Sequence, residues 1–341
     1  MRVAAIDIGT NSIHLMVAEI HPDGRVETIE TARSQVMLGS GGLERHVLRE
    51  EAIERAIAAL QSFRVAADTL GVEDIEATAT SAVREASNGA DFCDAVKQAT
   101  GLHVRVISGL DEARLIWLGV LPALDLSRGP ALAFDIGGGS TEIILGDAAN
   151  IRHAFSLHLG HIRLTDRFRS PGVATADPIG AARESIRAEL APVTQRLRGE
   201  TIGSVVGTSG TTRCLARMAT ALRTGRVPDH EEGLVVSRKE LDRLADRLAR
   251  ASVDELLRMP GMDPRRRDTL PVGAQIVREL LRAVRAQELT TSERSLREGI
   301  IADWILRHRP EIALSRDHDP RERSVLHTMS RFGVDEPHAR Q

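Results

Sequence analysis

The chain has 341 residues, with 45 Lys or Arg against 48 Asp or Glu and a formal net charge of −3. That length suits about two domains. The balanced charge excludes a general nucleic-acid binder, which carries a clear basic excess, so any anion site must be local. No apolar run reaches membrane-spanning length, and no basic and apolar leader precedes the opening strand. Cys93 and Cys214 are far apart and share no metal-ligand spacing. The expectation is a cytoplasmic protein with buried free thiols, no membrane partner and no nucleic-acid partner. Almost all the positive charge is arginine, the only lysines being Lys97 and Lys239. Base-composition bias accounts for that excess, which marks no site by itself.

In chain order, Arg2–Ile8 and Ile13–Ile20 are β-leaning apolar runs separated by a polar turn, and His21-Pro22-Asp23-Gly24 is a hairpin signal leading to a strand over Arg25–Arg33. Helical spacing of Ala52, Ile53, Ala56, Ile57, Leu60 and Phe63 predicts a helix over Glu50–Leu70, stopped by Gly71. Asp74–Thr80 and Val104–Ile107 read as short strands, and Asp111–Leu121 as a helix ended by Pro122. Ala131–Phe134 then begins a second copy of the opening pattern. In each copy a strand ends in Asp-Ile-Gly, followed by a small polar turn and a second strand: Asp7-Ile8-Gly9 and Asp135-Ile136-Gly137. This internal duplication predicts two similar domains facing each other across a cleft, with a boundary near residues 122–130. Further strands are expected at Ile151–Leu157 and Ser204–Gly207. Helices are expected at Ala176–Leu197, Thr211–Ala221, Arg238–Arg250, Asp263–Ala286 and Ser295–Leu306.

The strongest chemical signal is Asp135-Ile136-Gly137-Gly138-Gly139-Ser140-Thr141-Glu142. Consecutive glycines let backbone N–H groups turn inward on a phosphate without side-chain clash. Ser140 and Thr141 add hydroxyls, and Asp135 and Glu142 flank the turn with carboxylates, as a hard divalent cation bridged to phosphate requires. The first copy supplies Thr10, Asn11 and Ser12 as phosphate contacts and Asp7 as a further metal candidate. A third loop, Gly207-Thr208-Ser209-Gly210-Thr211-Thr212, follows a strand and opens a helix, where N–H groups and the helix dipole favour an anion. Ser209 is read as a phosphate contact, since its surroundings do not form a nucleophile elbow. Arg265-Arg266-Arg267 reads equally as a solvated face or as the lining of a polyanion path, with Arg267 taken as the phosphate contact. His14 and His161 have no partner at metal spacing and read as packing residues. Asp111 and Glu112 read from spacing alone as first-turn acids of a helix.

These loops resemble the phosphate and adenosine loops of the actin, hexokinase and Hsp70 superfamily. More closely, the chain resembles the exopolyphosphatase / guanosine-pentaphosphate phosphohydrolase family through Asp7–Leu15, Ala79–Asn88, Ile107–Val120, Asp135–Glu142, Leu159–Phe168, Gly207–Thr212 and Ser295–Ile300. The resemblance implies an α/β fold of two ribonuclease H-like, actin-like ATPase domains with mixed sheets flanked by helices. The expected spans are 1–124 and 125–310, with a tail at 311–341. Within the tail, Arg321–Gln341 is similar to the opening of the helical third domain of longer members. The resemblance further implies that Glu112, which directly precedes Ala113-Arg114, is the catalytic base, although Asp111 stands where the family often has Glu. It implies that Arg84 grips phosphate and that the protein forms a homodimer. The expected activity is release of terminal orthophosphate from inorganic polyphosphate, using Mg²⁺ or Mn²⁺ near Asp135 and Glu142 to orient water or metal. Guanosine pentaphosphate is the alternative substrate. A sugar kinase of the same superfamily would need a catalytic aspartate that cannot be placed here. A non-catalytic alarmone (guanosine tetraphosphate) sensor would not need Glu112, Asp135 and Glu142 together.

Overall fold

The structure is a computed structural model and describes residues 1–169, 177–310 and 312. The first half runs β1 (Arg2–Ile8), β2 (Ile13–Ile20), β3 (Val26–Ser34), α1 (Glu50–Thr69), β4 (Asp74–Ala79), α2 (Ser81–Glu85), α3 (Gly89–Thr100), β5 (Val104–Val106) and α4 (Gly109–Val120). The second half begins with β6 (Ala131–Ile136), β7 (Thr141–Gly146), β8 (Ile151–Leu157), α5 (His161–Arg169), α6 (Pro178–Arg196), β9 (Ser204–Gly207) and α7 (Ser209–Thr224). It continues with β10 (Val235–Ser237), α8 (Arg238–Arg250), α9 (Val253–Leu257), α10 (Leu270–Ala283), β11 (Glu288–Thr291) and α11 (Leu296–His308).

The first sheet has the order β3-β2-β1-β4-β5, antiparallel through β3, β2 and β1 and parallel from β1 to β5. The second has the order β10-β11-β9-β6-β7-β8 and repeats that plan, with β8, β7 and β6 antiparallel and β6, β9 and β11 parallel. The short antiparallel β10 is its one addition. The duplication visible in the loops therefore extends to both mixed sheets.

Strand alternation then decides where the site lies. In β1, Ala4, Ile6 and Ile8 enter the core under α1 and α3, while Val3 and Ala5 face the other way. In β6, Leu132, Phe134 and Ile136 enter the core of the second half, while Ala131 and Ala133 face away from it. The two outward rows, with Ile144 of β7, share one core with Leu115, Ile116 and Trp117 of α4 and Ile300 and Trp304 of α11. With a side-chain period of two, Asp7 and Asp135 continue these rows at the strand ends, beside the N-termini of α4 and α11. The two helices pack backbone to backbone. A Cβ at Gly299 would overlap the Leu115 carbonyl oxygen, and one at Gly119 would overlap that of Ser295.

The expected helices shift in two places. The helix expected over Asp263–Ala286 is divided: Pro264–Arg266 form a 3₁₀ turn capped by Asp263, and α10 starts at Leu270 with Pro271 in its first turn. The helix expected at Thr211 starts two residues earlier and runs to Gly225, whose φ of 74° closes it. Helices α2, α5 and α9 and strands β10 and β11 are additional to the expected elements. Of the tail expected at 311–341 only Ile312 is described, and the helix start at Ala176 lies outside the described residues. Both cysteines are free, Cys214 fully within the core. Among the described residues no helix is long and apolar enough to cross a membrane.

Candidate active site

The two duplicated turns close in the same way. Gly9 N–H donates to the Ser12 carbonyl at 3.1 Å, and Gly137 N–H donates to the Ser140 carbonyl at 2.9 Å. They abut each other: a Cβ on Gly138 would sit 3.0 Å from the Cβ of Thr10. Together they wall a cavity of about 160 Å³. Thr10, Asn11, Ser12, Gly137, Gly138, Gly139 and Ser140 all line it, as do Ser209 and Gly210 from the start of α7. Among the described residues, the N–H groups of Thr10, Asn11, Ser12, Gly138, Gly139 and Ser140 donate to no protein acceptor. Free donors on two turns that wall one cavity suit an anion nest. Ser209 has φ 72°, an uncommon backbone state for a residue with a side chain. Strain of this kind gathers at functional loops, and here it turns the chain so that α7 begins at the cavity.

Asp7, Glu112 and Asp135 also line the cavity. Burial and the Glu112 charge raise Asp7 to about 7. Burial likewise raises Glu112 to about 7, against the pull of Arg84, whose Nη1 donates to Glu112 Oε2 at 2.9 Å. Asp135 accepts hydrogen bonds from the hydroxyls of Thr208 and Ser295. Glu142 stands opposite Asp135 across the β6–β7 hairpin, behind the cavity wall, and accepts from Ser156 Oγ at 2.8 Å. Burial and the Glu112 charge hold Glu142 well above the ordinary carboxylate range.

Several expected phosphate contacts stand behind the wall. Arg84 pairs with Glu112 and donates to the Ile107 carbonyl at 3.0 Å. Gly207 packs under Thr212, where a Cβ would collide with the threonine methyl. Thr208 serves Asp135, and the Thr211 hydroxyl accepts from Arg266 at 3.4 Å. Arg267 is half exposed and pairs with Asp268 at 3.6 Å. It is Arg266, 8% exposed, that lines the cavity, seated over Gly210, where any Cβ would overlap its guanidinium.

Sequence reasoning missed most of the cationic lining. Arg33, Arg213 and Arg297 join Arg266 in the wall. Arg33 donates to Ser12 Oγ at 3.1 and 3.0 Å and has no carboxylate partner among the described residues. The Arg297 side chain has neither a hydrogen bond nor an ion pair among them, and its charge is felt by both Asp7 and His14. His14 and His161 line the cavity too; burial and the surrounding arginines push both down to about 3, so they stay neutral. Arg266 and Arg297 lay within segments already singled out. Arg33 carried no signal until the register placed it opposite His14.

Two ribonuclease H-like sheets, with duplicated anion turns meeting over buried carboxylates, define a protein of the two-domain actin-like class. The chain matches the Ppx/GppA phosphatase family over residues 16–308 and belongs to that family. Among solved structures it is similar to an exopolyphosphatase from Cytophaga hutchinsonii ATCC 33406, with 32% identity and a TM-score of 0.81 over 90% of this chain and 97% of that one. It is also similar to the Aquifex aeolicus member of the Ppx/GppA family, with 29% identity and a TM-score of 0.74 over 91% of this chain and 99% of that one. Family and neighbours support a phosphoanhydride hydrolase.

Proposed function

We propose that this protein is an exopolyphosphatase that releases terminal orthophosphate from inorganic polyphosphate by attack of water. The observation that carries the reading is the join of two surfaces in one cavity. One is a nest of free N–H groups and arginines, suited to a chain of phosphates. The other is a group of buried acids around Glu112. Among the described residues no Phe or Trp lines the cavity, so its walls offer a phosphate chain more than they offer a nucleobase.

In this reading the N–H groups of both turns and of α7 hold phosphoryl oxygens and the charge that builds on them. Arg33, Arg266 and Arg297 neutralise the following phosphates. Glu112 accepts the proton of the attacking water, held in orientation by Arg84. Asp135 and Glu85 place negative charge near Glu112 and so raise its proton affinity, while Glu142, hydrogen-bonded to Ser156, holds on to its own proton.

The acids also suit a divalent cation. Asp7 and Glu112 are raised because their charge is poorly compensated, and a hard cation would compensate it. Among the described residues no three acid, imidazole or thiol side chains form a ready-made cage. That fits Mg²⁺ or Mn²⁺, which keeps waters and takes few protein ligands. Asp135 and Asp7 would hold it, and when bound it supplies Lewis-acid neutralisation of phosphoryl oxygens.

The test is phosphate release from polyphosphates of several lengths and from guanosine pentaphosphate, with and without Mg²⁺. A higher kcat/KM on polyphosphate is expected. A clear preference for the nucleotide would replace this substrate with the family's other one, and release from neither would overturn the reading.

A further inference from the structure

We propose that Arg163 is a positioning residue of the glycine turn: by holding the Gly139 carbonyl it aims the Ser140 N–H into the cavity, and Glu85 from the other half holds Arg163 in place. The proposal rests on reading the cavity as a site for a phosphate chain.

All three carbonyls of the triple glycine are tied to α5. The Gly137 carbonyl accepts from His161 N–H at 3.1 Å, and that of Gly138 accepts from Ile162 and Arg163 N–H at 3.0 and 3.1 Å. The Gly139 carbonyl accepts from Arg163 Nε at 2.8 Å. In a planar trans peptide the carbonyl and the following N–H point in opposite directions. The N–H groups of Gly138, Gly139 and Ser140 are thereby turned away from α5, and they are the ones left without a protein acceptor. Main-chain donors fix the first two peptides. Only the third depends on a side chain.

That side chain is itself anchored across the molecule. Arg163 is 4% exposed, and its Nη2 donates to Glu85 Oε2 at 2.7 Å. The other Glu85 oxygen accepts from Ser81 Oγ at 2.7 Å. A Cβ at Gly139 would overlap that same hydroxyl. Ser81 and Glu85 belong to α2 of the first half, whereas the turn and α5 belong to the second. The guanidinium fork serves two acceptors at once, which a lysine ammonium on a single stem does not do in fixed geometry. The Ser140 donor is therefore presented only when the two halves are seated on each other.

Removing Arg163 alone would take its guanidinium from the half-buried Glu85, leaving His158 Nδ1 at 3.5 Å, and such a protein can fail to fold. The variants are therefore Arg163→Met combined with Glu85→Gln, and Arg163→Lys alone. The readouts are the Kd for inorganic tripolyphosphate by calorimetry, KM and kcat on polyphosphate, and Tm. Loss of one aimed donor to a charged ligand predicts a roughly tenfold or greater rise in Kd and KM for the double variant, with Arg163→Lys in between. A Kd within about twofold of wild type, whatever the Tm, would overturn the proposal. Wild-type protein that binds tripolyphosphate but releases no phosphate would defeat the proposed activity, while the Kd comparison would still decide the role of Arg163. If wild type does not bind tripolyphosphate, crystal structures decide: a Gly139–Ser140 peptide unmoved in the double variant sinks the proposal, and a rotated one supports it.

Discussion

Arg84 Nη1 lies 2.9 Å from Glu112 Oε2, so the acid best placed to take a proton is also the one fixed by a guanidinium. Burial pushes its proton affinity up and Arg84 draws it down, and the balance falls at about 7. An acceptor poised there suits general-base catalysis at neutral pH. Glu112→Gln should lower kcat on polyphosphate at least about a hundredfold while calorimetry still shows tripolyphosphate binding. Near-normal turnover would remove Glu112 from the mechanism.

The same acids make a prediction about stability. Asp7 and Glu112 rise from ordinary values of 3.8 and 4.5 to about 7 on folding. Between those values the folded state binds more protons than the unfolded one. Their contribution is thus present at low pH and lost as pH climbs towards 7. Without divalent cations, the Tm difference between Glu112→Gln and wild type should grow in the variant's favour from about pH 5 to about pH 7.5. A constant difference across that span would show that Glu112 is not raised.

Arg266 and Arg267 are neighbours in sequence with opposite surroundings. Arg266→Ala removes a cavity-lining cation and should raise KM for polyphosphate about tenfold or more. Arg267→Ala removes a half-exposed charge paired to Asp268 and should leave KM within about twofold. Gly210→Ala should mimic Arg266→Ala, because its methyl would displace the same guanidinium. Equal effects of the two arginine variants would contradict this placement.

Alanine normally favours a helix over glycine by about 1 kcal/mol. Gly299→Ala should do the reverse, because its methyl would overlap the Leu115 carbonyl of α4. Forcing the helices apart should cost about 1–3 kcal/mol in urea unfolding. A more stable variant would show that the contact has room.

Chelation by EDTA should abolish phosphate release, and Mg²⁺ should restore it. Asp135→Asn should raise the Mg²⁺ concentration needed for half-maximal rate. Full activity in EDTA would remove the divalent cation from the reading.

The strands and turns were legible because their signals are local: alternating apolar residues, a hairpin turn at Pro22-Asp23-Gly24, and Asp-Ile-Gly occurring twice. Asp7 and Asp135 were legible for the same reason, each closing an Asp-Ile-Gly strand, whereas Glu112 read locally only as a first-turn helix acid and took its role from the family resemblance. What sequence did not show depends on distance along the chain. Arg33 reaches the cavity only through the register of β3 on β2. Helix α11 follows the second sheet yet packs on β1 and α4. In the run Arg265–Arg267, a 3₁₀ turn capped by Asp263 selects which side chain points inward, and composition cannot make that choice. Strands β10 and β11 span three and four residues, and their pairing joins segments about fifty residues apart.

Among the differences between the two hairpins, one stands opposite the matched aspartates. Asp7 stands opposite His14 in the first, and Asp135 stands opposite Glu142 in the second. Two sheets that repeat one plan thus carry an imidazole in one copy where the other carries an acid. A substrate whose two tips are chemically identical still meets a different environment at each. The cradle itself assigns head and tail to a molecule that has neither.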